Sequence, residues 1–132
     1  MKEHFKGLGH IAIHTKDMDE SVAFYEKIGG ALRQRASIST PDGEKLLALV
    51  EFGGVVLELI QSPVPVPMTE GNIPHFALYV DDVDAAAAAV RAAGVDTFMT
   101  PQKKVRPNLF GGLENWFFTG PSGEQIELLR ML

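Results

Sequence analysis

The apolar and polar positions of this chain fall into one arrangement written twice. Over residues 9 to 15, and again over 74 to 80, β-favouring side chains alternate with a period of two, as in a strand with one buried face. The period then changes. Asp17 followed by Glu20 resembles a helix capping box, and Met18, Val22, Tyr25 and Ile28 form an apolar stripe that ends before Gly29 and Gly30. Its counterpart runs from about 82 to 93, with Val83, Ala87 and Val90 on one face and Gly94 as the C-terminal stop. In the first half, 31 to 39, 44 to 52 and 54 to 60 read as strands, with Pro41, Asp42 and Gly43 as a turn. In the second half the corresponding segments are 95 to 99, 114 to 119 and 124 to 131, and Pro121, Ser122 and Gly123 turn the last hairpin. Two stretches resist regular structure: 61 to 74 holds four prolines and reads as a linker, and 101 to 112 holds two prolines and two glycines and reads as a mobile loop over a site.

Sliding the chain against itself makes the repetition explicit. At an offset of 65, residues 10 to 29 match 75 to 94 at six positions: His10 with His75, Ala12 with Ala77, Asp17 with Asp82, Asp19 with Asp84, Ala23 with Ala88 and Gly29 with Gly94. At an offset of 69, residues 55 to 61 superpose on 124 to 130 and place Glu58 over Glu127. The four extra residues of the second half are expected in a loop. Each half therefore reads as strand, helix and three strands. The expected architecture is α+β, one domain over 1 to 132 made of two βαβββ modules, near 5 to 61 and 73 to 132, joined by a linker over 62 to 72.

Alternation also separates two classes of side chain. Ile11 and Ile13 pack under the first helix, which leaves His10, Ala12 and His14 on the other face; Phe76, Leu78 and Val80 pack under the second, which leaves His75, Ala77 and Tyr79 opposite. The same rule splits Leu57 and Leu59 from Glu58, and Ile126 and Leu128 from Glu127. A carboxylate within an apolar strand is costly to bury unless it is paired. Taken singly, a strand histidine is usually a satisfied core or surface residue and a strand glutamate usually faces solvent, but here both recur at equivalent places. Two imidazoles and two carboxylates, His10, Glu58, His75 and Glu127, make a donor set for one divalent transition metal (Ni, Zn, Co or Mn), better suited to these than to Ca or Mg, which prefer all-oxygen shells. His4 lacks such a counterpart and is expected at a solvated terminus; His14 is expected to line the cavity without binding metal.

Composition narrows the partners. A length of 132 residues that is 45% hydrophobic suits one compact domain and is too short for two ordinary ones. Seventeen acidic residues against twelve basic ones give a net charge of -5, so neither nucleic acid nor an anionic membrane is an expected partner. The chain contains no cysteine, which removes disulfides, thiolate nucleophiles and Cys-ligated zinc and leaves His and carboxylate for any metal. The opening MKEHFKGLG lacks the apolar run of a signal peptide, and no stretch is long enough to span a membrane, so a cytoplasmic protein is expected.

Four motifs carry a family resemblance: GHIAI with DMDESVAFY near the start, LELIQ at the end of the first module, HFALYVDDVD opening the second and FTGPSGEQIEL at its close. The chain resembles the vicinal-oxygen-chelate superfamily, the glyoxalase/bleomycin resistance/dioxygenase fold. That resemblance implies a cup-shaped mixed sheet with the helices outside and a metal within. The order His, Glu, His, Glu is similar to bacterial glyoxalase I (lactoylglutathione lyase), and implies His10, Glu58, His75 and Glu127 as ligands, with Glu127 or Glu58 as the base that removes a proton next to a carbonyl while the metal stabilises the enediolate. The chain departs from that enzyme at two glutathione contacts: His14 stands where it has arginine, and Ser62 where it has asparagine. The alternatives are a methylmalonyl-CoA epimerase-like isomerase, an extradiol dioxygenase-like enzyme and a non-catalytic binding member of the same fold. The implied substrate is a small carbonyl compound or thioester, met by His14, Tyr79, Lys103 and Arg106, with Lys104 in the same basic stretch, and the implied assembly is a homodimer.

Overall fold

A computed structural model describes residues 3, 6, 8–67 and 73–132. His4, Phe5 and Gly7 at the start of the expected first module, and 68–72 of the expected linker, lie outside the described residues. The chain divides into two compact units, Met1–Val66 and Pro67–Leu132. The first contains β1 (Ile11–His14), α1 (Met18–Lys27), β2 (Ala31–Thr40), β3 (Gly43–Phe52) and β4 (Val55–Gln61). Its four-stranded sheet has the order β1-β4-β3-β2, with β1 parallel to β4 and the remaining pairs antiparallel. The second contains β5 (His75–Tyr79), α2 (Val83–Ala92), β6 (Lys104–Arg106), β7 (Leu113–Thr119) and β8 (Gln125–Met131). Its sheet repeats the pattern as β5-β8-β7-β6, with β5 parallel to β8. Both units are βαβββ, as the repeated sequence pattern predicts. Among the described residues no helix is long and apolar enough to cross a membrane.

The matched sequence positions do matched structural work. Asp17 caps α1 by accepting from the Glu20 amide at 2.9 Å, and Asp82 caps α2 by accepting from the Ala85 amide at 2.9 Å. Gly29 and Gly94 follow the two helices with φ of +106° and +92°, a conformation in which a side chain would be strained. In the first unit Met18, Val22 and Tyr25 of α1 are buried with Val50, Leu57 and Leu59 of the sheet. In the second, Val83, Ala87 and Val90 of α2 are buried with Phe76, Phe118, Ile126 and Leu128. The apolar half of each strand is thus committed to a helix, and the polar half is left on the opposite face.

The segment after α2 departs from expectation. Residues 95 to 99 form an isolated bridge, Phe98 opposite Phe118, and the strand proper, β6, lies inside the stretch expected to be a loop. Both pieces run beside β7. The backbone bonds Thr119 N–H to Thr97 O and Met99 N–H to Phe117 O hold the first piece. Pairing then stops at Pro101, which has no N–H to give. It resumes with Lys104 opposite Asn115, so the seven residues from Phe98 to Lys104 face the four from Phe118 to Asn115, and the excess bulges out. The Phe98 side chain explains why the sequence reads as a strand here: its ring packs 4.7 Å from that of Trp116 and carries the Arg91 guanidinium over it at 4.5 Å.

Two substitutions separate packing from capping. Leu57→Ala, at a fully buried position, is expected to cost about 2 to 5 kcal/mol, and Asp82→Ala about 1 kcal/mol. Urea midpoints measured on both variants check this, and equal losses would mean that the sheet-to-helix packing is looser than described.

Candidate functional site

The strand register explains how each glutamate meets a histidine. In the first unit Ala12 of β1 lies opposite Glu58 of β4, and in the second Ala77 of β5 lies opposite Glu127 of β8. Register partners project to the same side of a sheet, and a residue two positions away shares that side. His10, which immediately precedes β1, and His75 therefore stand diagonally beside the two carboxylates, with only an alanine methyl between. His10 Nε2 is 3.6 Å from Glu58 Oε1, and His75 Nε2 is 3.2 Å from Glu127 Oε1. Two ligand atoms bound to one cation at about 2.1 Å are separated by about 3.0 Å at a right angle and about 3.4 Å at the tetrahedral angle. Both pairs sit near that spacing. Among the described residues no group of three or more His, Asp or Glu side chains forms a ready cation site, so each unit supplies a pair.

The pairs are alike in position but not in support. Glu127 has a side chain only 10% exposed, and its second oxygen, Oε2, accepts from the Asn115 amide at 2.8 Å. Its first oxygen is left toward His75, whose ring also meets Phe117 edge-on at 5.0 Å. In the first unit the residue equivalent to Asn115 is Leu47: each lies across the ladder from an equivalent position, Leu129 or Ile60. Glu58, with a side chain 23% exposed, borders a cavity of about 130 Å³ with Leu47, Leu49 and Ala36. Nothing in the sequence singles out Asn115, because a polar residue in a strand has no distinguishing signal until its cross-strand neighbours are known.

A larger cavity of about 350 Å³ lies on the same face of the second sheet, lined by His75, Asn115, Phe117, Gln125, Lys104 and Arg106 among others. Of the residues expected to meet substrate, Arg106 is there. Lys103 is not: its ammonium lies 2.7 Å from Asp84 and 2.9 Å from Glu114, with Arg130 3.4 Å from Glu114 on its other side. Alternation along β6 accounts for the difference, since Lys104 and Arg106 share one face while Val105 and the preceding Lys103 turn to the other. Lys104, from the same basic stretch, borders the cavity with Arg106. Tyr79, 78% exposed, and His14, also exposed, project from the His-bearing faces of β5 and β1 but border neither cavity.

A histidine–glutamate pair on the polar face of each of two repeated βαβββ sheets is the arrangement that the vicinal-oxygen-chelate resemblance implies. The chain belongs to the Glyoxalase/Bleomycin resistance protein/Dioxygenase superfamily, whose family model matches residues 7–128. It is 30% identical to the uncharacterized protein YwbC of Bacillus subtilis (strain 168) over 129 residues, covering 95% of this chain and 98% of that one. It is 29% identical to a probable lactoylglutathione lyase of Vibrio parahaemolyticus over 126 residues, covering 92% of this chain and 88% of the lyase. Among solved structures, a point mutant of the genomically encoded fosfomycin resistance protein FosX from Listeria monocytogenes, complexed with Mn(II) and 1S,2S-dihydroxypropylphosphonic acid, shares the fold with a TM-score of 0.67 at 20% identity, covering 94% of this chain and 91% of that one.

The Lys103 bridge yields a pH dependence. The Asp84 carboxylate first, and then that of Glu114, hold the Lys103 ammonium above its ordinary value of 10.5. A raised folded-state value gives stability that is complete below the unfolded value and is lost as pH rises through the folded one. The stability gap between the wild type and Lys103→Met is therefore expected to be largest near neutral pH and to shrink above pH 10.5. Denaturant titrations of both proteins across that range check it, and a gap independent of pH would remove the bridge from the account.

Proposed function

We propose that this chain is a metal-dependent lyase or isomerase of the glyoxalase I type, which moves a proton at a carbon next to a carbonyl or thioester. The observation that carries the reading is the recurrence of the histidine–glutamate pair at the same register in both sheets, at ligand spacing each time. His10, Glu58, His75 and Glu127 would together hold one divalent transition metal, Ni, Zn, Co or Mn. The donor set fits: two neutral imidazole nitrogens and two carboxylates satisfy such an ion and leave positions open for a substrate. The Asn115 amide on Glu127 is the kind of outer partner that orients a ligating carboxylate.

When bound, the metal supplies Lewis-acid polarisation of the substrate carbonyl, which acidifies the adjacent C–H. The protein's part is to place a base there and to keep the ligands in register. Of the two candidate bases, Glu127 and Glu58, the Asn115 hydrogen bond favours Glu58. Glu127, tethered at Oε2 and nearly buried, is suited to stay in place; Glu58 has no equivalent amide and is freer to swing and accept the proton on a carboxylate oxygen. Return of that proton to the neighbouring carbon gives a glyoxalase-type isomerisation, and its return to the other face of the same carbon gives an epimerisation. We place the reaction in the cytoplasm, in a homodimer acting on a small molecule.

The test is a panel of 2-oxoaldehyde hemithioacetals and acyl-CoA thioesters in D2O with metal-loaded protein, read by deuterium incorporation next to the carbonyl. Glu58→Gln is expected to keep metal and lower turnover by about 10² to 10⁴, whereas Glu127→Gln is expected to lose metal affinity as well. No exchange with any substrate in the panel, or an unchanged rate in Glu58→Gln, would contradict the proposal.

A further inference from the structure

The second unit carries a cavity whose charge is unexplained by the metal ligands. Of its lining residues, Lys104 and Arg106 are cations and none is an aspartate or glutamate. The acid nearest them in the ladder is Glu114, opposite Val105 and so on the other face, where Lys103 and Arg130 already engage it. Among the described residues neither Lys104 nor Arg106 has an ion-pair partner, whereas Arg33, Arg35, Arg91, Lys103 and Arg130 each have one. In an acidic protein of net charge -5, two adjacent exposed cations left without an acid are conspicuous. Their placement is not accidental to the strand, because the two-residue alternation of β6 delivers both side chains to the face that also bears His75.

We propose that Lys104 and Arg106 form an oxyanion subsite, so that the ligand of this cavity carries a carboxylate or phosphate group at the end remote from its reacting carbon. The planar guanidinium of Arg106 offers two parallel N–H donors to such a group, and the Lys104 ammonium adds a mobile point charge beside it. Gln125 and Asn115 supply neutral polar contacts along the wall, and Phe117 an apolar one. The volume of about 350 Å³ lies at the lower end of the range for small-molecule sites, which fits a short anionic metabolite rather than a large apolar one. This deepens the proposed function, since that reading puts the reacting end of the ligand at the His75 side; the anion subsite itself stands on β6 alone.

Trp116, the only tryptophan of the chain, lines the same cavity and provides the reporter. Its fluorescence is followed while the purified full-length protein is titrated with inorganic phosphate or with acetate, each against sodium chloride at matched ionic strength. A saturable response to at least one oxyanion is expected, weakened about tenfold or more in the Lys104→Ala/Arg106→Ala double variant and largely restored by Arg106→Lys in the otherwise wild-type chain relative to Arg106→Ala. Response to phosphate alone assigns a phosphate-bearing ligand, response to acetate alone a carboxylate, and response to both the shared oxyanion chemistry. The same titration in His10→Ala, which disables the proposed metal set without touching the cavity wall, is expected to be unchanged. That arm keeps the two proposals apart, because a response lost in His10→Ala but kept in the double variant would assign the anion to the metal and overturn the subsite. Absence of any saturable response, or one that the double variant leaves intact, also overturns it.

Discussion

A carboxylate in the middle of a β-strand whose neighbours on both sides are buried leucines or isoleucines sets the terms for the rest of this molecule. Glu58 stands between Leu57 and Leu59, and Glu127 between Ile126 and Leu128, and all four apolar neighbours are buried against a helix. The backbone must therefore present the acid to the other face, where something has to meet its charge. In each sheet the parallel pairing of the first and last strands answers this by placing a histidine one diagonal step away, across an alanine too small to intervene. The helix caps, the glycine stops and the strand order all serve that register, since a slip of one residue would send the glutamate into the core and a leucine to the open face.

The repeat supplies the pairs, and differences between the two halves give them different characters. The second sheet has an amide donor at Asn115, an edge-on phenylalanine and, on its outermost strand, two cations with no ion-pair partner among the described residues. The first keeps Leu47 and Leu49 in the equivalent places. On physical grounds the second glutamate is held and the first is less constrained, and the two cations that border a cavity lie in the second unit. The repeated scaffold thus offers chemically unequal halves.

Much of this was legible in the sequence because it rests on local periodicity. The shift from period two to the helical stripe located both helices within a residue or two at each end, and the offsets of 65 and 69 put His10 over His75 and Glu58 over Glu127 without any structure. What was not legible depends on pairing between distant segments. Pro101 and Gly112 made 101 to 112 look irregular throughout, yet β7 offers an edge on which Lys104 to Arg106 can pair once the proline is passed. Lys103 was expected to meet substrate, and only the positions of Asp84 and Glu114 show where its charge is spent. The contact between Asn115 and Glu127 belongs to the same class: it is set by the alignment of β7 on β8, which no single stretch of sequence encodes.

The two histidine–glutamate pairs are proposed to serve one metal rather than two. Stoichiometry tests this most directly: isothermal titration of the metal-free protein with Ni(II) or Mn(II), with bound metal verified by elemental analysis, in the wild type and in His10→Ala and His75→Ala. One tight metal per chain is expected in the wild type, with loss of that same site in either variant. Two metals per chain, each abolished by only one of the substitutions, would contradict it.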